Sequence, residues 1–406
     1  MFVLEYKVKA HKHQLNAIDE AIRTARFVRN KALRYWMDAS REQKVNRYDL
    51  NKYCRVLAKE FSFVKDLNSE ARQVSAERAW AGIARFYEKC KKKIPGKKGY
   101  PKFKKYSRSV EYRTSGWKLD SQTKKHITFS DKKGIGRLKL VGSRDIYFYN
   151  SQDIKRVRLV KRADGYYCQF SISVEVKIDM QPTKKAIGLD VGLKYAYADS
   201  DGRTEPNPRF YRFGEKRLAK LQRRLSKKFR RGEKQSNRYK KAKQKLKKHH
   251  LKISRQREEW AKRVARCVCT SNDVVVYEDI LVKNLVKNRK LSKSISDIGW
   301  YALRKWIEYF GVKFGKLTIA VPPHYTSINC SVCGNKVEKT LSTRTHECNC
   351  GAVLDRDVNA AINILKKGMS TAGHVGTWLL NSRNAQGDET STLTGENLLE
   401  QVWSLN

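Results

Sequence analysis

Between residues 216 and 263 the chain carries 22 Lys or Arg and only three acids, Glu233, Glu258 and Glu259. A stretch so charged cannot enter a core. Leu218, Leu221 and Leu225 nevertheless recur at helical spacing, as do Tyr239, Ala242, Leu246 and Ile253, with RRGEKQSN between the two sets. The pattern predicts a long helical hairpin closed by one apolar stripe. A solvated charged helix normally mixes signs to gain i,i+4 ion pairs; this one does not, which points to a groove for a polyanion.

The rest of the chain leans the same way. Its 406 residues carry 88 Lys and Arg against 40 Asp and Glu, a formal net charge of +48. A surface this positive repels itself unless a polyanion supplies counter-charge, so nucleic acid is the expected partner. A membrane surface is the rival, but the sequence offers neither a long apolar span nor a lipid-facing helix. Nine cysteines, an odd number at irregular spacing, argue against a secreted disulfide framework. MFVLEYKVKAHKH turns charged too early for a signal peptide. A reducing, prokaryotic cytoplasm near the nucleoid is the expected setting. From Gly368 onward the only cation is Arg383, against Asp388, Glu389, Glu396 and Glu400, so residues 1–367 hold a surplus of 51 positive charges. Residues 368–406 read as a polar, disordered tail, the alternative being that Trp378, Leu379 and Leu380 dock it on the body.

FVLEYKVK at 2–9 alternates like a strand, then Ile18, Ile22, Ala25, Val28 and Leu33 follow helical spacing. A second helical region covers residues 48–93, followed by the basic Gly/Pro loop IPGKKGYPKFKK. HITFS, RLKLV, IYFY, VRLVKR and YYCQFSISVEV are short strand-like runs and predict a small antiparallel sheet or barrel. Residues 1–20 and 94–180 therefore form an expected β-barrel-like module, interrupted by a helical insertion over 21–93. Beyond the linker KIDMQPTKK, AIGLD, DVVVYEDI and KLTIAVPP read as strands and SDIGWYALRKWIEYFGVKFG as a helix. The whole is a multidomain α+β chain.

Two constellations carry chemistry. Cys330 and Cys333 are followed, after fourteen residues, by Cys348 and Cys350. Four thiolates in two close pairs can close a tetrahedral, structural Zn²⁺ site, with Gly334 and Gly351 letting backbone N–H groups approach sulfur. The second pair has one intervening residue where two are usual, so His346 is the alternative ligand. The Cys267/Cys269 pair has no partner pair and reads as core. The second constellation is acidic. Asp190 and Glu278 end apolar strands, and Asp357 opens the helix marked by Val358, Ala361, Ile362 and Leu365. Each alone has an ordinary explanation: a turn former, a solvent-facing strand end, a helix N-cap. Together, in a nucleic-acid binder, they suit Mg²⁺, which takes one or two carboxylates plus phosphate oxygens. That is the donor set of two-metal phosphodiester hydrolysis.

At these residues the sequence resembles the RuvC-type, RNase H-like nucleases that insertion sequences encode as TnpB, relatives of compact type V CRISPR effectors. GLDVGLK (188–194), the basic hairpin, VYEDI (276–280), KNRKLSKSISDIGW (287–300), TSINCSVCG (326–334) and CNCGAVLDRDVNAAINI (348–364) carry the resemblance, in order and separation. RFVRNKAL, the Tyr48 region and GYPKFKK match more loosely. The resemblance implies a wedge module (1–20 and 94–180), a recognition insertion (21–93), a RuvC-like domain (184–325 and 353–367) and a zinc knuckle (326–352). It also implies an RNA-guided DNA endonuclease that binds a guide RNA from the element's own end. Such a protein reads a motif beside its double-stranded target and cuts with Mg²⁺, its acidic triad falling on Asp190, Glu278 and Asp357. A guided binder that does not cleave is the alternative; a strand-joining transposase is a third reading. In this frame the hairpin cations (Arg223, Arg224, Arg230, Arg231, Arg238, Lys241) and the loop lysines (Lys102, Lys104) hold the heteroduplex by its backbone. Tyr48 and Gln73 fall in the region that reads the adjacent motif, and Arg344 is a candidate for the scissile phosphate. Of the neighbouring acids, Asp357 is the expected ligand and Asp355 a loop-end residue or partner of Arg356. A monomer is the expected state.

Overall fold

In β1 (Phe2–Lys9) Leu4, Tyr6 and Val8 turn inward while Glu5 and Lys7 do not, the period of two that a half-buried strand requires. β1 belongs to the first of two units, residues 1–175 and 176–406. The computed structural model describes residues 2–384 apart from 40–42, 143–145, 175–177, 179 and 341–342, with side chains as far as Ser370.

In unit 1, β1 is followed by α1 (Lys12–Asp38), α2 (Arg47–Glu60), α3 (Ser62–Lys65) and α4 (Ser69–Lys91). Six strands complete it: β2 (Ser109–Tyr112), β3 (Trp117–Leu119), β4 (His126–Phe129), β5 (Gly136–Val141), β6 (Ile154–Arg162) and β7 (Gly165–Ile172). They form one antiparallel sheet in the order β2-β6-β7-β1-β5-β4-β3. The insertion boundary expected at 21 falls inside α1. That helix serves two cores: Ile18, Ile22 and Ala25 pack on the sheet, while Val28 and Leu33 pack with Leu50, Leu57 and Ile83 of the helices. A helix can do so because its apolar stripe drifts around the axis over seven turns. IYFY is a correction: Ile146–Phe148 is a 3₁₀ turn, not a strand. Only Ile146 of that turn is buried, so the run has no alternation for a sheet to use.

In unit 2 come β8 (Ala186–Asp190), β9 (Tyr195–Asp199), β10 (Thr204–Pro206), α5 (Phe210–Ser226), α6 (Asn237–Ser271) and β11 (Val274–Glu278). Then follow α7 (Val282–Leu285), α8 (Ser292–Ile298), α9 (Trp300–Phe314), β12 (Leu317–Val321), β13 (Thr345–Glu347), β14 (Val353–Asp355) and α10 (Arg356–Asn384). The main sheet runs β10-β9-β8-β11-β12, with β8, β11 and β12 parallel. Alternation again assigns the faces. Ile187, Leu189, Val275 and Tyr277 pack against α6 and α9, whereas Val274 and Val276 pack against α10 through Ile364. The basic hairpin is α5 and α6, closed by Leu218, Leu225, Leu246 and Ile253 along one seam.

α10 continues to Asn384, past residue 368 where the tail was expected to begin. Gly368 lies against β11, where an added Cβ would meet Val276 Cγ1 at 2.4 Å, and Met369 packs beside it. Residues 385–406 of the expected tail lie outside the described residues. Among those described, no helix is long and apolar enough to cross a membrane.

Candidate metal centres

Gly188 and Asp190 lie two residues apart on β8 and so point to the same face, the one that α10 covers. A Cβ on Gly188 would stand 2.2 Å from the Ala361 carbonyl oxygen, so only glycine lets α10 lie this close. Asp357 is one helical turn before Ala361, which carries it along the strand toward Asp190. On β11, Tyr277 pairs with Leu189, so Glu278 is the next residue beside Asp190, about 5 Å away across a parallel ladder. Three acids distant in sequence thereby meet at the carboxyl ends of two adjacent strands. Open α/β sheets commonly place their sites at such an edge.

The electrostatics match the geometry. Burial, then the nearby Glu278 and Asp357 charges, hold the Asp190 carboxyl well above the usual carboxylate range; Arg356 offsets only part of this. Burial also raises Glu278, against the Thr326 hydroxyl and the Lys367 ammonium. Thr326 Oγ1 donates to Glu278 Oε1 at 2.6 Å. The N-cap role goes to Asp355, whose Oδ1 accepts from the Asp357 N–H at 2.8 Å. Asp357 keeps its carboxylate for the site, with Arg356 Nε 3.9 Å from its Oδ1. The Arg344 carbonyl accepts from the Arg356 N–H at 2.7 Å, so this exposed arginine leaves the chain beside the helix start. An apolar hollow of about 470 Å³, lined by Leu189, Tyr277, Trp300 and Ile307 among others, adjoins Glu278 and lowers the local dielectric.

Cys330, Cys333, Cys348 and Cys350 bring their sulfurs within 4.8 Å of one another. Among the described residues theirs is the one such group, and the three carboxylates, which repel, stand wider apart. Sγ–Sγ separations of 3.7 Å (Cys330–Cys350) and 3.5 Å (Cys333–Cys348) approach the edge of a tetrahedron with 2.3 Å Zn–S bonds, about 3.8 Å. Burial pushes the Cys330 thiol up, but the N–H groups of Cys333 and Val332, with His346 and Cys350 alongside, bring it down to about 5. Gly334 and Gly351 take φ of +79° and +88°, a backbone turn that side chains resist. His346 is fully buried next to this cluster, its Nδ1 engaged by Lys339, and is not one of the four. Of the other cysteine pair, Cys269 is buried and Cys267 exposed.

Sequence reasoning missed what joins the two centres. Asn359, fully buried, accepts from the Ser331 N–H at 2.8 Å and donates to the Asn329 carbonyl at 2.9 Å. Asn363 donates to the carbonyls of Thr326 and Asn329 at 2.9 and 2.7 Å. The cysteine loop is thus pinned to the first turns of α10, one of them carrying Asp357. The signal was present as the polar residues of NAAINI, which interrupt an otherwise apolar helix face.

The candidate nucleic-acid residues are more scattered. Arg223, Arg224, Arg230, Arg231, Arg238 and Lys241 are all exposed, and Arg230 faces Glu233 at 3.5 Å. Only Arg224 of these lines the hairpin groove of about 810 Å³, whose other cations are Lys216, Arg217, Lys220, Lys245, Lys248 and Lys252. Tyr48 is exposed at the start of α2 and Gln73 half-buried on α4. Lys102 and Lys104 are exposed in the loop after α4; the Asn30 side chain clasps Lys104 through its N–H and carbonyl, each at 3.0 Å.

Residues 169–289 match the family described as a probable transposase, and residues 300–364 match the Cas12f1-like TNB domain. A candidate RNA-guided DNA endonuclease of Streptomyces pristinaespiralis is 33% identical over 192 residues, 47% of each chain. The chain thus spans about half the length of that relative. A candidate RNA-guided DNA endonuclease of Escherichia coli (strain K12), InsQ, is 29% identical over 329 residues, 77% of each chain. Among solved structures, the Cas12f1–sgRNA–target DNA complex superposes with a TM-score of 0.55 at 15% identity, covering 87% of this chain and 83% of that one. At that identity the likeness speaks for fold alone. The resemblance carried by the sequence motifs is borne out: this chain is similar to the TnpB proteins of insertion sequences and, in fold, to the compact effector Cas12f1.

Proposed function

We propose that this protein is an RNA-guided DNA endonuclease that hydrolyses phosphodiester bonds at Asp190, Glu278 and Asp357. The observation that carries the reading is the convergence of these acids at the carboxyl ends of β8 and β11, where burial and the neighbouring Glu278 and Asp357 charges raise the Asp190 carboxyl. Relatives named as RNA-guided DNA endonucleases support the substrate class.

Hard carboxylate oxygens fit Mg²⁺, and the residues that would hold it are Asp190, Glu278 and Asp357. When bound, such ions activate water and stabilise the charge of an in-line displacement. The chain's own residues prepare that site. Thr326 fixes one Glu278 oxygen. Asp355 caps α10 and so orients Asp357. Arg344 is assigned to the scissile phosphate, which a guanidinium can grip by two parallel hydrogen bonds.

The four thiols fit a closed, structural Zn²⁺ with no open position for chemistry. In this reading residues 1–20 and 94–180 are the wedge module, 21–93 the recognition insertion, and 184–325 with 353–367 the nuclease body. The knuckle covers 326–352. Guide RNA would lie along the hairpin groove and the loop at 91–105, with Tyr48 and Gln73 near the motif beside the target. Base pairing then supplies sequence choice while the protein grips backbone and shape.

The test incubates the protein, with the RNA that co-purifies with it, with matched duplex DNA and Mg²⁺. Wild type should cut and Asp190→Ala should not. Equal, negligible cutting by both, with DNA binding retained, would overturn the nuclease in favour of a guided binder.

A further inference from the structure

Unit 1 holds a group of four cations of which the proposed function has so far used only Lys104. Arg26 and Arg29 sit one turn apart on α1, Arg78 on α4 and Lys104 in the loop beyond. All four line a cavity of about 20 Å³ together with Ser75, Ser107 and Ser109. Among the described residues none of the four cations has a carboxylate within ion-pair distance. Glu111, the acid whose charge reaches Arg78, is already claimed by Arg156 at 3.1 Å and Arg158 at 2.8 Å.

The cations therefore repel at short range. Burial and then Arg78 lower the pKa of Arg29; burial, Arg29 and Arg78 lower that of Lys104. Arg29 Nε is buried with no hydrogen-bond partner, Nη1 donates to Asn30 Oδ1 at 3.1 Å, and the contacts of Nη1 and Nη2 to the Lys102 carbonyl are long, at 3.4 Å. The fold nonetheless holds the group together. Asn30 clasps the Lys104 backbone, and Arg26 Nη1 donates to the Lys105 carbonyl at 2.6 Å. Ser75 and Ser107 spend their hydroxyl hydrogens on backbone carbonyls, which leaves recognition to the cations and Ser109.

We propose that Arg29, Arg78 and Lys104 form a seat for one phosphate oxygen of a bound nucleic-acid strand. The cavity admits about one oxygen-sized group, so the phosphorus and its esters must stay outside, as they would on a continuous backbone. Guanidinium groups suit such an oxygen through charge-assisted hydrogen bonds. A contact of this kind fixes register without reading sequence. The seat rests on the nucleic-acid reading given above and adds to it a defined anchor on unit 1.

The test uses the full chain with fluorescein-labelled, mixed-sequence RNA and duplex DNA, titrated at several salt concentrations. Arg78→Gln and Arg29→Gln should each weaken binding of at least one probe about tenfold. Each should also make the slope of log affinity against log salt shallower by about 0.7–0.9. Lys59→Gln, an exposed cation on α2, should change affinity less than twofold. Without nucleic acid both arginine variants should melt above wild type because repulsion is relieved, which separates lost contact from lost fold. Wild-type affinity and slope in both variants, while wild type binds and cuts, would remove the seat alone. Wild type that binds neither probe would remove the seat and the proposed function together. Inorganic phosphate that raises the wild-type melting temperature at micromolar concentration, undisplaced by RNA, would make this a free-anion site and overturn the proposal.

Discussion

Asp190 is costly to the fold when no cation is near. Its carboxyl is held above its unfolded value, so its charge opposes folding once pH passes through the raised pKa. Asp190→Asn should therefore raise the melting temperature of metal-free protein by about 2–4 °C, the shift that ~1 kcal/mol brings in a domain of this size. It should also abolish both DNA cutting and the extra stability that Mg²⁺ gives wild type. Calorimetry with and without Mg²⁺ checks all three. The two neighbouring aspartates should separate cleanly. Asp355→Ala removes a cap, costing about 1 kcal/mol and a modest part of the cutting rate, and Asp355→Asn should restore both. Asp357→Ala should end cutting with little loss of stability. The three acids were legible in the sequence because each stands where an apolar run stops or starts. Thr326 was not, since a threonine in a loop carries no periodic signal and its hydroxyl meets Glu278 only after folding.

At the scale of elements, one close approach and one buried ion pair organise unit 2. Gly188 lets α10 touch β8, so Gly188→Ala should push the helix away and leave the acids misplaced. Overpacking of this kind costs about 1–3 kcal/mol, and cutting should fall further than stability does. Single-turnover rates measured beside denaturant melts would show the split. The buried pair of Asp273 and Lys316 ties the linker before β8 to the starts of β11 and β12. Burial pushes Asp273 up, but Lys316 and the N–H groups of Thr183 and Lys184 hold it below its ordinary 3.8. A depressed carboxylate stabilises above its unfolded pKa and loses that contribution as pH falls through the folded one. Melting temperature should accordingly drop as pH falls below about 4, and Asp273→Ala should blunt that drop. At neutral pH the same change strands a buried ammonium and should cost about 3–5 kcal/mol. The hairpin was readable in advance from its leucine spacing, because a two-helix seam needs only local periodicity. Its groove was not: which cations face inward depends on how α5 and α6 rotate about that seam, and only Arg224 among the residues first singled out lies there.

Across the whole molecule, charge pointed to a nucleic-acid partner and cysteine spacing to a four-thiol cluster, and the structure does gather those four sulfurs. The helix that runs past Gly368 and the double duty of α1 needed tertiary packing to become visible. Metal analysis should find one zinc per chain, bound by the four thiols. Asn359→Ala should speed zinc release and cut nuclease activity at least tenfold while RNA affinity stays close to wild type. That follows from the hydrogen bonds by which Asn359 grips the cysteine loop. It also gives the protein an unexpected vulnerability. The proposed cutting site contains no sulfur, yet oxidants, electrophiles and zinc starvation should all weaken it by loosening the four-cysteine cluster that Asn359 holds. If the proposed function holds, a cell could silence the protein through its redox state or metal supply, leaving Asp190, Glu278 and Asp357 unchanged.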